Sequence, residues 1–238
     1  MKKYFSVDKS LNYGREIIVN FSKNERVDCI LDIGAGRGID LDNLKKLNPK
    51  ARTLGVECFE DNCLTLTQNG HGIFKINIES EKIPLPDSSV DLIIANQILE
   101  HCKEVFWIFH EMTRVLKKDG ILIIGVPNLA SLHNRFLLSL GKQPTSIQLW
   151  SAHIRGFSVP GLRSFFQKTF PEGYAIKEVA GSNFYPFPPF IAKFLSSIFP
   201  EMSVGIFLKL KKVKDYGHEF QEYPNKEALE TNFYAGLN

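Results

Sequence analysis

Residues 30–40 read ILDIGAGRGID. An apolar run ends in an aspartate, and glycines then fill every second position at Gly34, Gly36 and Gly38. A glycine turn between a strand and a helix lets the backbone approach a ligand closely, and the helix N-terminus behind it offers unpaired N–H groups. Dinucleotides and aminoacyl nucleosides both use such a turn, so the motif alone leaves the ligand open. The rest of the chain has to decide.

Working outward, VDCILDI (27–33) suits a strand buried on both faces, and the helix after it carries Leu41, Leu44 and Leu47 on one side with Pro49 just beyond. RTLGVE (52–57) reads as a second strand, a helix with Glu60 and Asp61 early and Gly70 late follows, and GIFKIN (72–77) is a third strand. The alternation βαβαβ implies a parallel sheet with right-handed crossovers. Beyond the turn-rich EKIPLPDSS, VDLIIAN (90–96) is a fourth strand. Val105, Ile108, Phe109, Met112, Val115 and Leu116 then mark a helix, with KKDG supplying cations and a glycine at its end. ILIIGVP (121–127) is the fifth strand.

After residue 128 the pattern changes. A helix is predicted over 129–140, with Leu129, Leu132, Phe136, Leu137 and Leu140 as its apolar set, followed by a polar loop. Ser158 is placed to cap a helix that has Pro160 in its first turn and buries Leu162, Phe165, Phe166 and Phe170. YAIKEVAG (174–181) and VGIFLKLKK (204–212) read as an antiparallel pair at the sheet edge. The tail from Lys214 is polar and expected to be loose in part. The fold class is therefore α/β: a Rossmann-like, seven-stranded, mostly parallel sheet with an antiparallel last strand, helices on both faces and helical cap elements. One domain over 1–238 is expected, divided into an N-terminal lid helix (1–24), a cofactor-binding half (25–128), a substrate-side half (129–213) with an insert at 183–202, and the polar tail (214–238).

Composition sets bounds. The 238 residues are 44% hydrophobic and 23% charged with net charge +3, ordinary globular usage with too weak a field to suggest nucleic acid as a partner. Cys29, Cys58, Cys63 and Cys102 form no CxxC pair, which points to reduced, buried thiols and to no metal site. The N-terminus has no continuous apolar core of a signal peptide, and no run reaches membrane-span length, so a cytoplasmic location is expected. The most lipid-like segment, FYPFPPFIAKFLSSIF (184–199), is broken by prolines and a lysine.

The ligand follows from strand-end residues. In the dinucleotide fingerprint the glycines run GxGxxG, whereas here they alternate behind Asp32, a carboxylate poorly placed beside a pyrophosphate and well placed beside an ammonium group. Glu57 closes the second strand, where an acid can accept bonds from both ribose hydroxyls. Asn77 and Asn96 end the third and fourth. Four strand ends thus converge on one crevice.

In these residues the chain resembles the class I S-adenosylmethionine-dependent methyltransferases. ILDIGAGRG looks like their first motif and GVE their acidic second. INIESEKIPLPDSSVDLIIANQILEH resembles their adenine-binding and fourth-strand region, and EMTRVLKKDGILIIGVPN their fifth-strand region; the likeness covers roughly residues 25–128. It implies S-adenosyl-L-methionine as cofactor, with Asp32 near its amino group and the Gly34, Ala35, Gly36 and Gly38 backbone beside its amino-acid part. Glu57 would bind the ribose, Cys58, Asn77 and Ile78 would lie about the adenine, and Asn96 and Gln97 near the sulfonium. Tyr13 and Arg15 could reach the cofactor carboxylate from the lid helix.

Methyl transfer from a sulfonium needs a positioned nucleophile and only optionally a base. His101, in LEH, and His153 with Arg155, in HIRGF, are the candidate catalytic residues; His133 is a further candidate base. Arg135 and Lys142 would add positive charge for a phosphate or carboxylate on the acceptor, or else tie the cap loop to the body. The combination of VPN, NRFLLSLGKQP and HIRGFS resembles a methyltransferase subgroup associated with bacterial surface glycans. The expected acceptor is therefore a small molecule or sugar, methylated on oxygen, with no nucleic acid as partner; a lipid-linked substrate would bring 184–199 to the inner face of a membrane. The competing readings are an NAD-dependent oxidoreductase or epimerase, and a non-catalytic cofactor-binding partner subunit.

Overall fold

Along the buried strands, successive side chains enter opposite layers, and this sorts the core. The structure is a computed structural model that describes residues 9–236, so the first part of the expected lid helix and the end of the tail lie outside it. In β1 (Cys29–Ile33), Leu31 and Ile33 join one apolar cluster and Ile30 the other. In β4 (Val90–Asn96), Ile93 and Ala95 oppose Leu92 and Ile94 in the same way. Each such side chain removed from water contributes about 1.5–3 kcal/mol before entropy is counted.

The remaining strands are β2 (Arg52–Glu57), β3 (Gly72–Lys75), β5 (Leu116–Pro127), β6 (Tyr174–Ser182) and β7 (Gly205–Lys212). They form one seven-stranded sheet of order β3-β2-β1-β4-β5-β7-β6, in which only β7 runs antiparallel to its neighbours. One face is covered by α1 (Arg15–Ser22) and α2 (Ile39–Leu47), through Ile18, Phe21, Leu41 and Leu44, with Leu66 of α3 (Glu60–Gln68). The other is covered by α4 (Val105–Val115) and α6 (Val159–Thr169). Ser158 caps α6 as expected, its Oγ accepting from the Gly161 N–H at 3.1 Å.

Three expectations need correction. The helix that was to end in KKDG stops at Val115, and β5 already begins at Leu116. There the register jumps from Val90↔Leu116 to Leu92↔Ile121, and Lys117 pairs with Asp91 at 2.7 Å across the bulge. The predicted helix over 129–140 shortens to α5 (Leu132–Ser139) behind the Ser131 cap, and its apolar residues face outward; Asn134 is its buried residue. Within the segment singled out as most lipid-like, α7 (Pro189–Ile198) turns the small Ala192 and Ser196 to the protein and leaves Phe190 and Phe194 exposed. The tail is not simply polar and loose, because it carries α8 (Glu219–Lys226), whose fully buried Phe220 stacks near Phe109 and Phe165 and seals the α4 side. Of the cysteines, Cys63 and Cys102 are buried, Cys29 is half-buried and Cys58 is exposed.

The strand order reverses between β1 and β4, whose chains leave toward opposite edges. That opens a crevice at their C-terminal ends, the place where open α/β sheets bind ligands.

Candidate active site

The glycine loop forms one wall of this crevice. Gly34, Gly36 and Gly38 all have left-handed backbone, φ 69°, 53° and 82°. A side chain at Gly34 would strike Ile98 and one at Gly38 would strike Leu66, but a Cβ at Gly36 would meet nothing within 4 Å. The loop thus closes on the protein at both ends and faces open space at its centre. It is fastened to the end of β2: the Gly34 and Ala35 amides donate to the Val56 carbonyl at 2.9 and 3.1 Å, and the Gly36 amide donates to Glu57 Oε2 at 2.9 Å.

Three carboxylates converge here. Asp32 is 3% exposed, and burial, then the nearby charges of Asp40 and Glu57, hold its carboxyl well above the usual range. Asp40, in the first turn of α2, is also raised by burial, against the pull of Asn96 and Arg15. Its Oδ2 accepts from Asn96 Nδ2 at 2.8 Å. Its Oδ1 lies 3.7 Å from Arg15 Nε, and both of those atoms lack a hydrogen-bond partner. Arg15 lies over the Tyr13 ring, 4.6 Å from its centroid, and Asn96 Nδ2 also donates to the Tyr13 carbonyl. The start of α1 is therefore drawn to the crevice.

Glu57 is more committed than the sequence suggests. Oε1 accepts from the Cys58 and Phe59 amides, and Oε2 from the Gly36 amide and Asn62 Nδ2. That is four donors, about as many as a carboxylate can take. A ribose diol must share or displace one of them. Cys58 is exposed rather than packed. Asn77 lies beyond the end of β3, exposed, with Oδ1 accepting from the Glu79 amide, while Ile78 is buried.

Past β4, Gln97 takes φ 56° and leaves its buried Nε2 without a partner; Asn96 Oδ1 is likewise unpaired. Gln97 also borders a neighbouring cleft of about 650 Å³, lined by Pro127, His133, Asn134, His153 and Tyr185 among others. The two expected catalytic neighbours part company here. His153 lines the cleft. Arg155 turns away and donates from Nη2 to the Lys103 carbonyl at 2.7 Å and from Nε to that of Cys102 at 3.4 Å. Arg155 thereby ties the cap to the body, whereas Arg135 donates locally to the Ala130 carbonyl five residues earlier. His101 contacts His153 edge to face with ring centroids 4.8 Å apart.

Sequence reasoning missed Asp40 and Glu100. Asp40 had a signal, an acid in the first turn directly behind the glycines. Glu100 had none, since its complete burial is a product of tertiary packing.

Residues 31–124 match the family described as a methyltransferase domain. The chain is 26% identical over 131 residues to a malonyl-[acyl-carrier protein] O-methyltransferase of Marinomonas sp., a match covering 52% of this chain and 43% of that protein. Among solved structures, it superimposes on a SAM-dependent methyltransferase from Thermotoga maritima with TM-score 0.59 at 19% identity, over 89% of this chain and 94% of the other. The plantazolicin methyltransferase BpumL, solved with SAH, gives TM-score 0.59 at 17% identity, over 87% of each chain. The chain spans less than half the length of the curated relatives it matches. Residues 31–124 thus resemble a methyltransferase domain, and the chain has the fold of enzymes whose cofactor is S-adenosylmethionine.

The residues present fit that cofactor. Open space at Gly36 gives room for its backbone, and a buried, acid-rich wall suits a ligand carrying an ammonium and a sulfonium. The acids also predict a stability effect. Because the folded-state pKa of Asp32 is raised above its unfolded value of about 3.9, the folded chain retains a proton the unfolded chain releases, so this group lowers stability as pH rises from about 4 through its folded pKa. Asp32→Asn should therefore make the ligand-free protein more stable at pH 8, by roughly 1 kcal/mol or about 2–4 °C in Tm, with the gain vanishing near pH 4. Thermal melts of both proteins across that range check it, and parallel pH profiles would contradict it.

Proposed function

We propose that this protein transfers the methyl group of S-adenosylmethionine to an oxygen of a small-molecule or sugar acceptor held in the 650 Å³ cleft. The observation that carries the reading is the position of Gln97, which directly follows the crevice end of β4 and lines the cleft. When bound, the cofactor supplies a methyl group on an already activated leaving group. The chain's own residues then have to bind, orient and exclude water.

In this reading Asp32 and Asp40 face the cofactor's cationic end, and the Gly34, Ala35, Gly36 and Gly38 backbone borders its amino-acid part. Glu57 holds the ribose at the expense of one of its present donors, Ile78 packs on the adenine, and Cys58 and Asn77 edge it. The unpaired Asn96 Oδ1 and Gln97 Nε2 flank the reacting centre. On the acceptor side, His153 Nδ1 lies 2.9 Å from the Ser146 carbonyl and His101 Nδ1 3.3 Å from that of Ala152. A carbonyl only accepts, so each Nδ1 carries the hydrogen and each Nε2 keeps a lone pair able to take the acceptor's proton. His133, against Tyr185 at 4.5 Å, lines the same cleft as His153.

A specific observation favours an amphiphilic, lipid-linked acceptor. α5 and the loop behind it, which border the cleft, expose Phe136 at 63% and Trp150 at 84% together with Arg135 and Lys142, and α7 exposes Phe190 at 74% and Phe194 at 62%. Apolar side chains interspersed with cations suit an anionic bilayer surface. Among the described residues no helix is long and apolar enough to cross a membrane, so such contact would be peripheral.

Calorimetric titration tests the cofactor reading. S-adenosylmethionine and S-adenosylhomocysteine should bind, NAD should not, and Glu57→Ala should weaken both by about 10-fold or more, the worth of one or two hydrogen bonds. Binding of NAD alone would favour the oxidoreductase alternative and end this reading. For the acceptor surface, exposed Trp150 should blue-shift in fluorescence on adding phosphatidylglycerol vesicles and not phosphatidylcholine vesicles, a response that Phe190→Ser with Phe194→Ser should weaken several-fold. No shift with either vesicle, or a shift from self-association alone, would remove the lipid surface from the account.

A further inference from the structure

Glu100 sits in the single 3-10 turn Leu99–His101 that follows β4. Its side chain is 1% exposed, and neither carboxylate oxygen has a hydrogen-bond partner. A buried ionised carboxylate left in that condition costs several kcal/mol, so the position needs a cation or a proton. Among the described residues no lysine or arginine pairs with it. The basic group beside it is His101, whose Nε2 lies 3.9 Å from Oε1.

The surroundings are those of a ligand set. One donor atom each from Glu100, His101 and His153 lie within 4.8 Å of one another. Both imidazoles are clamped through Nδ1 by backbone carbonyls, of Ala152 and Ser146, which fixes the tautomer and aims the Nε2 lone pair away from the clamp. Metal-binding histidines are held by second hydrogen bonds of this kind. Bonds of about 2.0–2.2 Å to nitrogen and carboxylate oxygen would require the three donors to draw together by roughly 1 Å, within the reach of side-chain rotation. Burial pushes the Glu100 pKa up to about 7 and lowers that of His101, so in the metal-free chain the carboxyl is readily neutralised by a proton.

We propose that Glu100, His101 and His153 form a two-histidine, one-carboxylate site for a divalent transition cation of the zinc, manganese or iron(II) type, with its open positions toward the cleft that His153 lines. Two imidazoles and one carboxylate suit such borderline ions better than Mg²⁺ or Ca²⁺, which prefer all-oxygen sets. Spacing alone does not point to this site, because its ligands are split between residues 100–101 and 153. The cation's chemical role, unlike its binding, rests on the transfer reading. An acceptor hydroxyl in an open position would lose its proton to water more easily, and its lone pair would form the new O–C bond as the S–C electron pair returns to sulfur, leaving a neutral thioether.

The test is titration of the untagged, chelator-treated chain with Co²⁺, followed by its ligand-field absorption, and with Zn²⁺ by calorimetry. One equivalent of each should bind. Glu100→Gln and His153→Ala should each weaken binding about 100-fold, and His218→Ala, at an exposed histidine away from the cluster, should leave it unchanged. His153 lies half-buried on a loop, so its variant carries the test should Glu100→Gln fail to fold. Absence of saturable binding, or equal affinity in His153→Ala, overturns the site. Titration of the same metal-free protein with S-adenosylhomocysteine separates the two readings: cofactor binding without metal binding removes only the metal site, and the converse removes only the transfer reading.

Discussion

Three carboxyl groups crowded at one strand-end crevice are the constraint on which the rest of the site depends. Asp32, Asp40 and Glu57 arrive from β1, α2 and β2, and burial, then the charges of Asp40 and Glu57, make Asp32 hard to keep ionised. The chain meets this with local donors. Glu57 is saturated by backbone amides and Asn62, and so fastens the glycine loop. Asp40 is held by Asn96 and approached by Arg15, which draws α1 across the opening. Asp32 receives no comparable relief, and its raised pKa records the deficit. A cationic ligand would supply it.

The same logic recurs at Glu100, on the cleft side of β4. There the unpaired carboxylate faces two histidines whose other nitrogens are already clamped. Gln97 lies between the crevice and the cleft, following β4 at the first and lining the second, so the reading gives the crevice an organic cation and the Glu100 cluster a metal ion. α5 beside the cleft and α7 elsewhere on the cap turn aromatic and aliphatic side chains outward, where a soluble acceptor alone gives them no partner.

Most of the sheet was legible because buried parallel strands are continuous apolar runs, and the glycines and acids at their ends stand out against them. ILDIGAGRGID, RTLGVE and VDLIIAN each became a strand with its polar end residue at the crevice. The errors lie where period alone could not say which side faces the protein. In α5 the apolar stripe is real but points outward, and the polar Asn134 makes the buried contact instead. The tail read as polar because one phenylalanine, Phe220, does most of the anchoring of α8. Arg155 was paired with His153 on the strength of local spacing, but the free carbonyls of Cys102 and Lys103 claim it. Glu100 was invisible because nothing local distinguishes a buried glutamate from a solvated one.

The central claim is that the crevice between β1 and β4 holds the adenosyl cofactor with its amino-acid end against the glycine loop. A crystal structure of the complex with S-adenosylhomocysteine tests it most directly. The account predicts density running from the open space at Gly36, with the ammonium beside Asp32, to a ribose at Glu57 that has displaced one of its present donors. Density at another place on the protein, or a ligand lying in the crevice with its amino-acid end away from Asp32, would contradict it.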